Sequence, residues 1–162
     1  MPKLKIVSGG QTGVDRAALD WAIARGVAHG GWCPQGRLAE DGPIASKYQL
    51  KATPSSEYAE RTLWNVRDSD GTVIFSRLKE LSGGSLMTEV FAQQLGKPCL
   101  HLTANASNPA KKLRSFVARH QIEVLNVAGP RASLEPDLGK FVQATLEEAF
   151  ARSLDWSGGG RP

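Results

Sequence analysis

Short apolar runs rich in β-forming residues alternate along the chain with segments whose apolar positions recur at helical spacing. The apolar runs predict five strands, at residues 4–7, 28–33, 72–75, 98–102 and 123–127. The periodic segments predict helices at residues 14–25, 56–67, 86–95, 109–120 and 136–154. Alternation of this kind is typical of a parallel sheet covered by helices. We therefore predict an α/β fold with a doubly wound, parallel five-stranded sheet and helices on both faces.

The connection that follows the second predicted strand is unusually long. Residues 34–55 join this strand to its helix, whereas most such connections have about 2 to 6 residues. Loops of this length often carry function, so one interpretation is an ordered lid that folds over a ligand. The alternative is a solvated loop. Arg37 is the candidate ligand contact in this segment.

Two glycine-rich turns follow the first and third predicted strands. Ligands of open parallel sheets bind beyond the carboxyl ends of the strands, where helices begin with unpaired N–H groups that favour anions. Because we expect strands one and three to be neighbours, the two turns should share one crevice. The predicted ligand contacts in the turns are Ser8, Gly9, Gly10, Thr12, Gly13, Gly83, Gly84, Ser85 and Thr88.

Neither turn has the pattern of a standard nucleotide-binding loop. The first turn, SGGQTG, lacks the Gly-Lys-Ser/Thr ending of a P-loop and the GxGxxG spacing of a dinucleotide site. Its glycines nevertheless leave backbone N–H groups without a Cβ in front of them. The matched pair of turns therefore predicts an anion site and leaves the anion open.

Three charged residues lie close to these turns in the sequence. Asp15 follows Thr12 by three residues, so it either completes a capping box or accepts hydrogen bonds from hydroxyl or ring N–H groups of a ligand. Arg16 either balances this charge near the ligand or faces solvent. Arg61 is the preferred contact for a phosphate or carboxylate, because a guanidinium binds such groups through two parallel hydrogen bonds. A surface salt bridge is the alternative for Arg61.

The composition restricts the class of protein. A chain of 162 residues, 41% hydrophobic and 22% charged, suits a single domain, which we place at residues 1–156 with a disordered tail at 157–162. The sequence has no apolar run long enough to span a bilayer and no visible secretory signal. We therefore predict a cytoplasmic protein that does not bind membranes.

Charge and metal-ligating residues point to a small ligand. The net charge of +4 comes from scattered basic residues, which favour a small anion over nucleic acid. The two cysteines, Cys33 and Cys99, are not spaced as a metal or redox pair. The three histidines are isolated, and of these only His101 is placed near the predicted site. We predict no structural metal.

Several stretches together resemble a known family. The segments SGGQTGVDRAALDWA, GGWCPQGRLAEDGPI, YQLKATPSSEYAERTLWNVRDSDGTVIF, GGSLMTE and GKPC are similar, in this order, to the circularly permuted YpsA-like proteins. Members of this family carry the provisional label of molybdenum cofactor carriers and share a superfamily with DprA and the LOG nucleotide phosphoribohydrolases. The resemblance extends over nearly the whole chain. It implies a Rossmann-like three-layer sandwich, a pocket for a nucleotide or pterin phosphate, and a homo-oligomer such as a dimer or tetramer.

The resemblance leaves two functions open. A carrier would bind a molybdopterin-type cofactor or a nucleotide at the glycine-rich turns. An enzyme of the LOG type would cleave the N-glycosidic bond of a nucleoside monophosphate, with Asp15 or Glu89 as its acid–base group. The segment SGGSLMTE departs from the LOG pattern PGGxGTxxE, because serine replaces the proline, the Gly-Thr pair is missing and Glu89 comes one residue early.

Overall fold

The computed structural model describes residues 3–151. Nine strands occur in this part of the chain: β1 (Lys5–Val7), β2 (Ala28–Gly30), β3 (Trp32–Cys33), β4 (Leu38–Ala39), β5 (Gly42–Pro43), β6 (Lys51–Ala52), β7 (Gly71–Ser76), β8 (Cys99–Thr103) and β9 (Val124–Ala128). The helices are α1 (Val14–Ala24), α2 (Tyr58–Arg67), α3 (Gly83–Gln94), α4 (Pro109–Arg119) and α5 (Leu138–Leu146). A π-helical segment, Glu147–Ala151, continues α5.

The central sheet has five strands in the order β2-β1-β9-β7-β8, and all neighbouring strands are parallel. This confirms the predicted fold class. The expectation that the first and third predicted strands are neighbours is wrong, because β9 lies between β1 and β7 and pairs with both. The two glycine-rich turns are therefore separated by the width of one strand, and the segment after β9 lies between them.

Two predicted elements differ from the structure by more than a shift of their ends. The second predicted strand is divided at Gly31, where φ is +128° and a Cβ would lie 2.2 Å from the carbonyl oxygen of Ser8. β2 consequently stays in the central sheet, whereas β3 leaves it and pairs with β6. The last predicted helix is α-helical only over α5 before the π-helical segment. Its predicted end and the tail at 157–162 lie outside the described residues.

One face of the sheet carries the main hydrophobic core. Buried side chains of α1, α4 and α5 pack there on alternate residues of the strands, such as Ile6, Phe75 and Val127. The opposite face, next to α2 and α3, holds buried polar groups, and the Asn126 side-chain amide donates to the Thr72 hydroxyl at 3.2 Å. Helices thus cover both faces, and the site lies at the edge of the polar one.

The long connection at residues 34–55 is ordered. It contains the β4–β5 hairpin and β6, and its side chains Ile44, Tyr48 and Leu50 form a small core with Leu19 and Cys33. The Arg37 guanidinium donates hydrogen bonds to four carbonyl oxygens of this same loop, at 2.9 to 3.4 Å. Internal hydrogen bonding and apolar burial therefore hold the loop in one conformation.

Among residues 3–151, none of the helices combines the length and apolar character needed to cross a membrane.

In the first glycine-rich turn, the backbone of Gly13 packs closely against the backbone of residues 130–132. Gly13 has φ of +83°, and a Cβ there would lie 2.7 Å from both Ala132 N and Pro130 O. Gly26 has a similar φ of +67°, but a Cβ there would meet nothing within 4 Å. We expect Gly13→Ala to lower the free energy of unfolding by about 3 kcal/mol and Gly26→Ala by about 1 kcal/mol, measured by urea denaturation. Equal losses in the two variants would show that the backbone contact at Gly13 is not tight.

Candidate functional site

Two cavities meet where β1, β7 and β9 end. The smaller one, of about 70 Å³, lies among the turn after β1, the end of β9 and the start of α3. The larger one, of about 560 Å³, extends outward between the segments that follow β7 and β9. Both are lined by Asp15, Arg61, Thr62, Gly84 and Gly129. They therefore form one candidate site with a deep polar part and a wider outer part.

In the first turn, the protein's own side chains cover the glycines. A Cβ on Gly9 would lie 2.1 Å from Nη1 of Arg61, and a Cβ on Gly10 would lie 2.5 Å from Cδ1 of Leu50. The N–H groups that follow are also engaged: Gly10 donates to the Ser8 hydroxyl at 3.4 Å and Gln11 to the Asp15 carboxylate at 3.3 Å. Ser8 is fully buried and donates to the Asp15 carbonyl at 3.0 Å. The first turn thus presents side chains to the cavities instead of free amides.

Thr12 and Arg16 point away from these two cavities, toward the loop at 34–55. The Thr12 hydroxyl donates to the carboxylate of Glu40, which also accepts from the Ser133 N–H at 3.1 Å. Arg16 pairs with Asp41 at 2.5 Å and donates to the Gly10 carbonyl at 3.0 Å. These bonds tie the long loop to the segments after β1 and β9. Sequence reasoning did not identify Glu40, which lacks any distinguishing pattern in the chain.

The second turn remains open. α3 begins at Gly83, three residues before the predicted start, and its N-cap Ser82 makes no side-chain capping bond. A Cβ on Gly83 or Gly84 would meet nothing within 4 Å. Ser85 and Thr88 are buried, and the Thr88 hydroxyl donates back to the Gly84 carbonyl at 2.9 Å. The first N–H groups of α3 therefore adjoin the larger cavity without a protein side chain in front of the glycines.

The most strongly perturbed carboxyl group of the site is Asp15. Its Oδ2 lies 3.8 Å from Nη1 of Arg61, which donates to the Gly9 carbonyl at 2.8 Å. The two side chains are only 10% and 12% exposed, respectively. Burial raises the pKa of Asp15 from 3.8 to about 6, and it outweighs the opposing effects of Arg61 and the Gln11 N–H. The site therefore contains a carboxyl group that gains or loses its proton near neutral pH.

The interpretation of Asp15 as part of a capping box with Thr12 is wrong. α1 begins at Val14 with Gly13 as its N-cap, and no side chain caps it. The Thr12 N–H instead donates to the side-chain oxygen of Gln11 at 3.0 Å. Gly13, which lies close to residues 130–132, takes the N-cap position in place of Thr12, and the Asp15 carboxylate lies near Arg61.

The other predicted charged contacts lie outside the two cavities. Arg37 is held by its own loop, as described above. Glu89 is on α3 but lines neither cavity, and its charge acts on Cys99 and His101 of β8. His101 bonds through Nε2 to the Ser76 hydroxyl at 2.5 Å, and burial lowers its pKa. His101 thus contacts a residue that lines the larger cavity, as its position in the sequence suggested.

Some lining residues were missed by sequence reasoning. Asn126 interrupts the apolar strand VLNVA, and this interruption was the available signal for a polar residue beneath the site. Thr62 lies one residue after Arg61, and no pattern distinguishes it. In residues 3–151, no group of three or more His, Cys, Asp or Glu side chains is arranged to hold a metal ion.

The raised pKa of Asp15 predicts an unusual dependence of stability on pH. Because the folded state holds the proton more tightly than the unfolded state, the contribution of Asp15 to stability falls as pH rises from about 4 to about 6. We expect the free energy of unfolding of the wild type, relative to Asp15→Asn, to fall by roughly 2–3 kcal/mol over this range. Urea denaturation at several pH values measures it. A relative stability that rises with pH would show that Arg61 outweighs burial.

Comparison with known proteins agrees with the observed fold. The profile of the circularly permutated YpsA SLOG family matches residues 6–150. A crystal structure from Syntrophus aciditrophicus SB, described provisionally as a molybdenum carrier protein, superposes with a TM-score of 0.89 at 48% sequence identity, over 92% of this chain and 96% of that one. No curated protein matches the sequence. The Rossmann-like chain therefore belongs to the circularly permuted YpsA family of the SLOG superfamily.

Proposed function

We propose that the protein binds a phosphate-bearing heterocycle, either a molybdopterin-type cofactor or a nucleotide, as a carrier or binding protein. The observation that carries the proposal is the largely buried guanidinium of Arg61, which lines the same cavity as the open N-terminus of α3. A guanidinium and the first N–H groups of a helix are both donors that suit a phosphate group. The provisional carrier description of the Syntrophus protein agrees with such a ligand.

The two glycine-rich turns contribute differently to this proposed anion site. Gly83 and Gly84 give a ligand access to backbone amides at the start of a 12-residue helix, whose dipole favours negative charge. Gly9 instead makes room for Arg61, which supplies the positive charge. The phosphate is therefore expected between Arg61 and the start of α3.

Asp15 adjusts the charge of the proposed site. When it is ionised, its carboxylate offsets much of the charge of Arg61 and weakens the attraction for an anion. Since its pKa is about 6, a phosphate that approaches Arg61 favours the protonated form of Asp15. Binding of the ligand is then coupled to uptake of a proton at neutral pH.

The size of the larger cavity supports a ligand with a ring system. Its volume of about 560 Å³ is within the usual range for small-molecule sites, about 300–1,000 Å³. Phosphate alone would occupy a small part of it. Carboxylates of Glu80 and Glu135 also line the cavity and could accept hydrogen bonds from ring N–H or amino groups.

We further propose a cytoplasmic homo-oligomer. α3 exposes Leu86 and Val90, which are one helical turn apart and line neither cavity of the site, and Leu95 follows at its end. An apolar stripe of this kind suits contact with a second copy of the chain. The scattered basic residues give no support to nucleic-acid binding.

A hydrolytic function of the LOG type is the second candidate, and it rests on Asp15. A carboxyl group with a pKa near 6 in a cavity suits general acid–base catalysis, whereas Glu89 lies outside both cavities. We expect any release of free base from nucleoside monophosphates to disappear in Asp15→Asn and to persist in Glu89→Gln, measured by chromatography of the products. No turnover by the wild type on any nucleoside monophosphate would rule out this candidate.

The anion site predicts a large effect of Arg61 on phosphate binding. We expect Arg61→Gln to weaken the binding of ribose 5-phosphate at least tenfold, because a charged hydrogen-bond donor to phosphate is lost. Isothermal titration calorimetry at pH 6 measures the change. Arg67→Gln is the matched control, since Arg67 lies on the same helix, pairs with Asp68 and lines neither cavity. Equal affinity in the two variants would refute the role of Arg61.

Arg61 also donates a hydrogen bond to the Gly9 carbonyl, so its replacement could disturb the fold as well as the binding of phosphate. A second variant, at Gly84, distinguishes these two effects. Gly84→Val adds a side chain at a place where a Cβ meets nothing within 4 Å, so the fold should be retained. The valine would stand before the N–H groups of α3, and we expect the same loss of ribose 5-phosphate binding. Gly10→Val is unsuitable for this purpose, since its side chain would collide with Leu50. Full affinity in Gly84→Val would exclude the N-terminus of α3 as the phosphate site.

A further inference from the structure

Exposed apolar side chains gather around the larger cavity. Nine large hydrophobic residues are exposed in the described part of the chain, and four of them line this cavity: Tyr58, Leu78, Met87 and Leu134. Leu78 and Leu134 are both 65% exposed, which is the highest value among the nine. Single exposed leucines are common on protein surfaces, but a group of apolar side chains around one cavity indicates a binding surface.

Leu78 and Leu134, here called the leucine pair, lie on segments whose backbone groups are hydrogen-bonded. The carbonyl of Leu78 accepts a hydrogen bond from the Ser76 hydroxyl at 2.7 Å, and this hydroxyl is also bonded to His101. The N–H of Leu134 donates to the Arg131 carbonyl at 3.0 Å. The two side chains are therefore exposed on segments whose backbones are hydrogen-bonded, and a surface held in this way loses less conformational entropy when a ligand binds.

A single carboxylate joins the two segments that carry the leucine pair. Both oxygens of Glu135 accept from the backbone N–H of Arg77, at 3.1 and 3.2 Å. Arg77 precedes Leu78 and Glu135 follows Leu134, so this bond keeps the two leucines on neighbouring segments. The spacing of the leucine pair thus depends on contacts outside the anion site.

The apolar part of the cavity is continuous with the proposed phosphate site. Tyr58 and Arg61 are one turn apart on α2, and the Arg61 guanidinium lies 5.2 Å from the centre of the Tyr58 ring. Met87 is on the first turns of α3, beyond the open glycines. A ligand with its phosphate at Arg61 and α3 would therefore extend along these apolar side chains.

We propose that the leucine pair holds the flat ring of the ligand, so that the protein selects phosphates that carry a fused bicyclic heterocycle. This inference rests on the proposed function, because the phosphate site sets the position of the ring. Branched aliphatic side chains suit the faces of an aromatic ring, whereas a sugar phosphate that lacks a heterocyclic base leaves them exposed to water. Guanine and pterin rings share this flat bicyclic shape.

Calorimetric titration with three probes tests the inference: GMP, a phosphorylated pterin and ribose 5-phosphate. The last carries the phosphate and the sugar of GMP without the guanine base. We expect at least one of the two ring-bearing phosphates to bind ten times or more tighter than ribose 5-phosphate. Leu78→Ser and Leu134→Ser should each reduce this preference three- to tenfold and leave the affinity for ribose 5-phosphate within twofold of the wild type.

Leu38→Ser is the matched control, since Leu38 is 53% exposed and lies in the β4–β5 hairpin away from the cavity. It should change none of the affinities. The proposed function itself fails if no probe binds to the wild type. The inference alone fails if all three phosphates bind equally, or if the leucine variants weaken ribose 5-phosphate as much as the ring-bearing probes.

The alternative is that the leucine pair contacts a second copy of the chain instead of a ligand. The same serine variants distinguish these two roles. Molecular mass from light scattering should be identical for the wild type, Leu78→Ser and Leu134→Ser. Dissociation of an oligomer by either serine variant, without a change in the preference for a ring, would assign these leucines to a subunit interface and overturn the inference.

Discussion

The buried contact between Asp15 and Arg61 is the interaction on which the rest of the site depends. It joins the start of α1 to α2 across the turn after β1, and Arg61 reaches this place because Gly9 has no Cβ. A buried charge requires a partner, so neither side chain is well tolerated there alone. Burial nevertheless raises the pKa of Asp15 to about 6. The same contact thus joins two helices and contains a carboxyl group whose pKa is raised to about 6.

The two glycine-rich turns have similar sequences, but their glycines have different surroundings in the structure. In the first, Gly10 and Gly13 allow close packing against Leu50 and against the backbone of residues 130–132. In the second, Gly83 and Gly84 face open space at the start of α3. A glycine can serve either close approach or access, and only the neighbours in space decide between the two. The proposed anion site accordingly combines the Arg61 side chain of α2, which packs against Gly9 of the first turn, with backbone amides of the second turn.

Loop segments around the site are held by individual carboxylates. Glu40 connects the long loop with Thr12 and Ser133, and hydrogen bonds from Ser133 and Thr12 lower its pKa. Glu135 likewise connects the segments after β7 and β9. The long loop is therefore an ordered support beside the first turn, and its residues 34–55 line neither of the two cavities. Preformed loops reduce the entropy that a ligand must overcome on binding.

The sequence by itself determined the five strand segments of the central sheet, the presence of two glycine-rich turns after β1 and β7, and the family. These features depend on local periodicity and on contiguous motifs, which a single chain displays directly. Only the tertiary structure decided that β9 separates β1 from β7, that Gly13 displaces Thr12 from the cap of α1, and that Glu89 faces β8. Each of these depends on contacts between residues far apart in the chain. Arg37 shows the same limit, because a guanidinium in a long loop has the same sequence signature whether it binds a ligand or four carbonyls of its own loop.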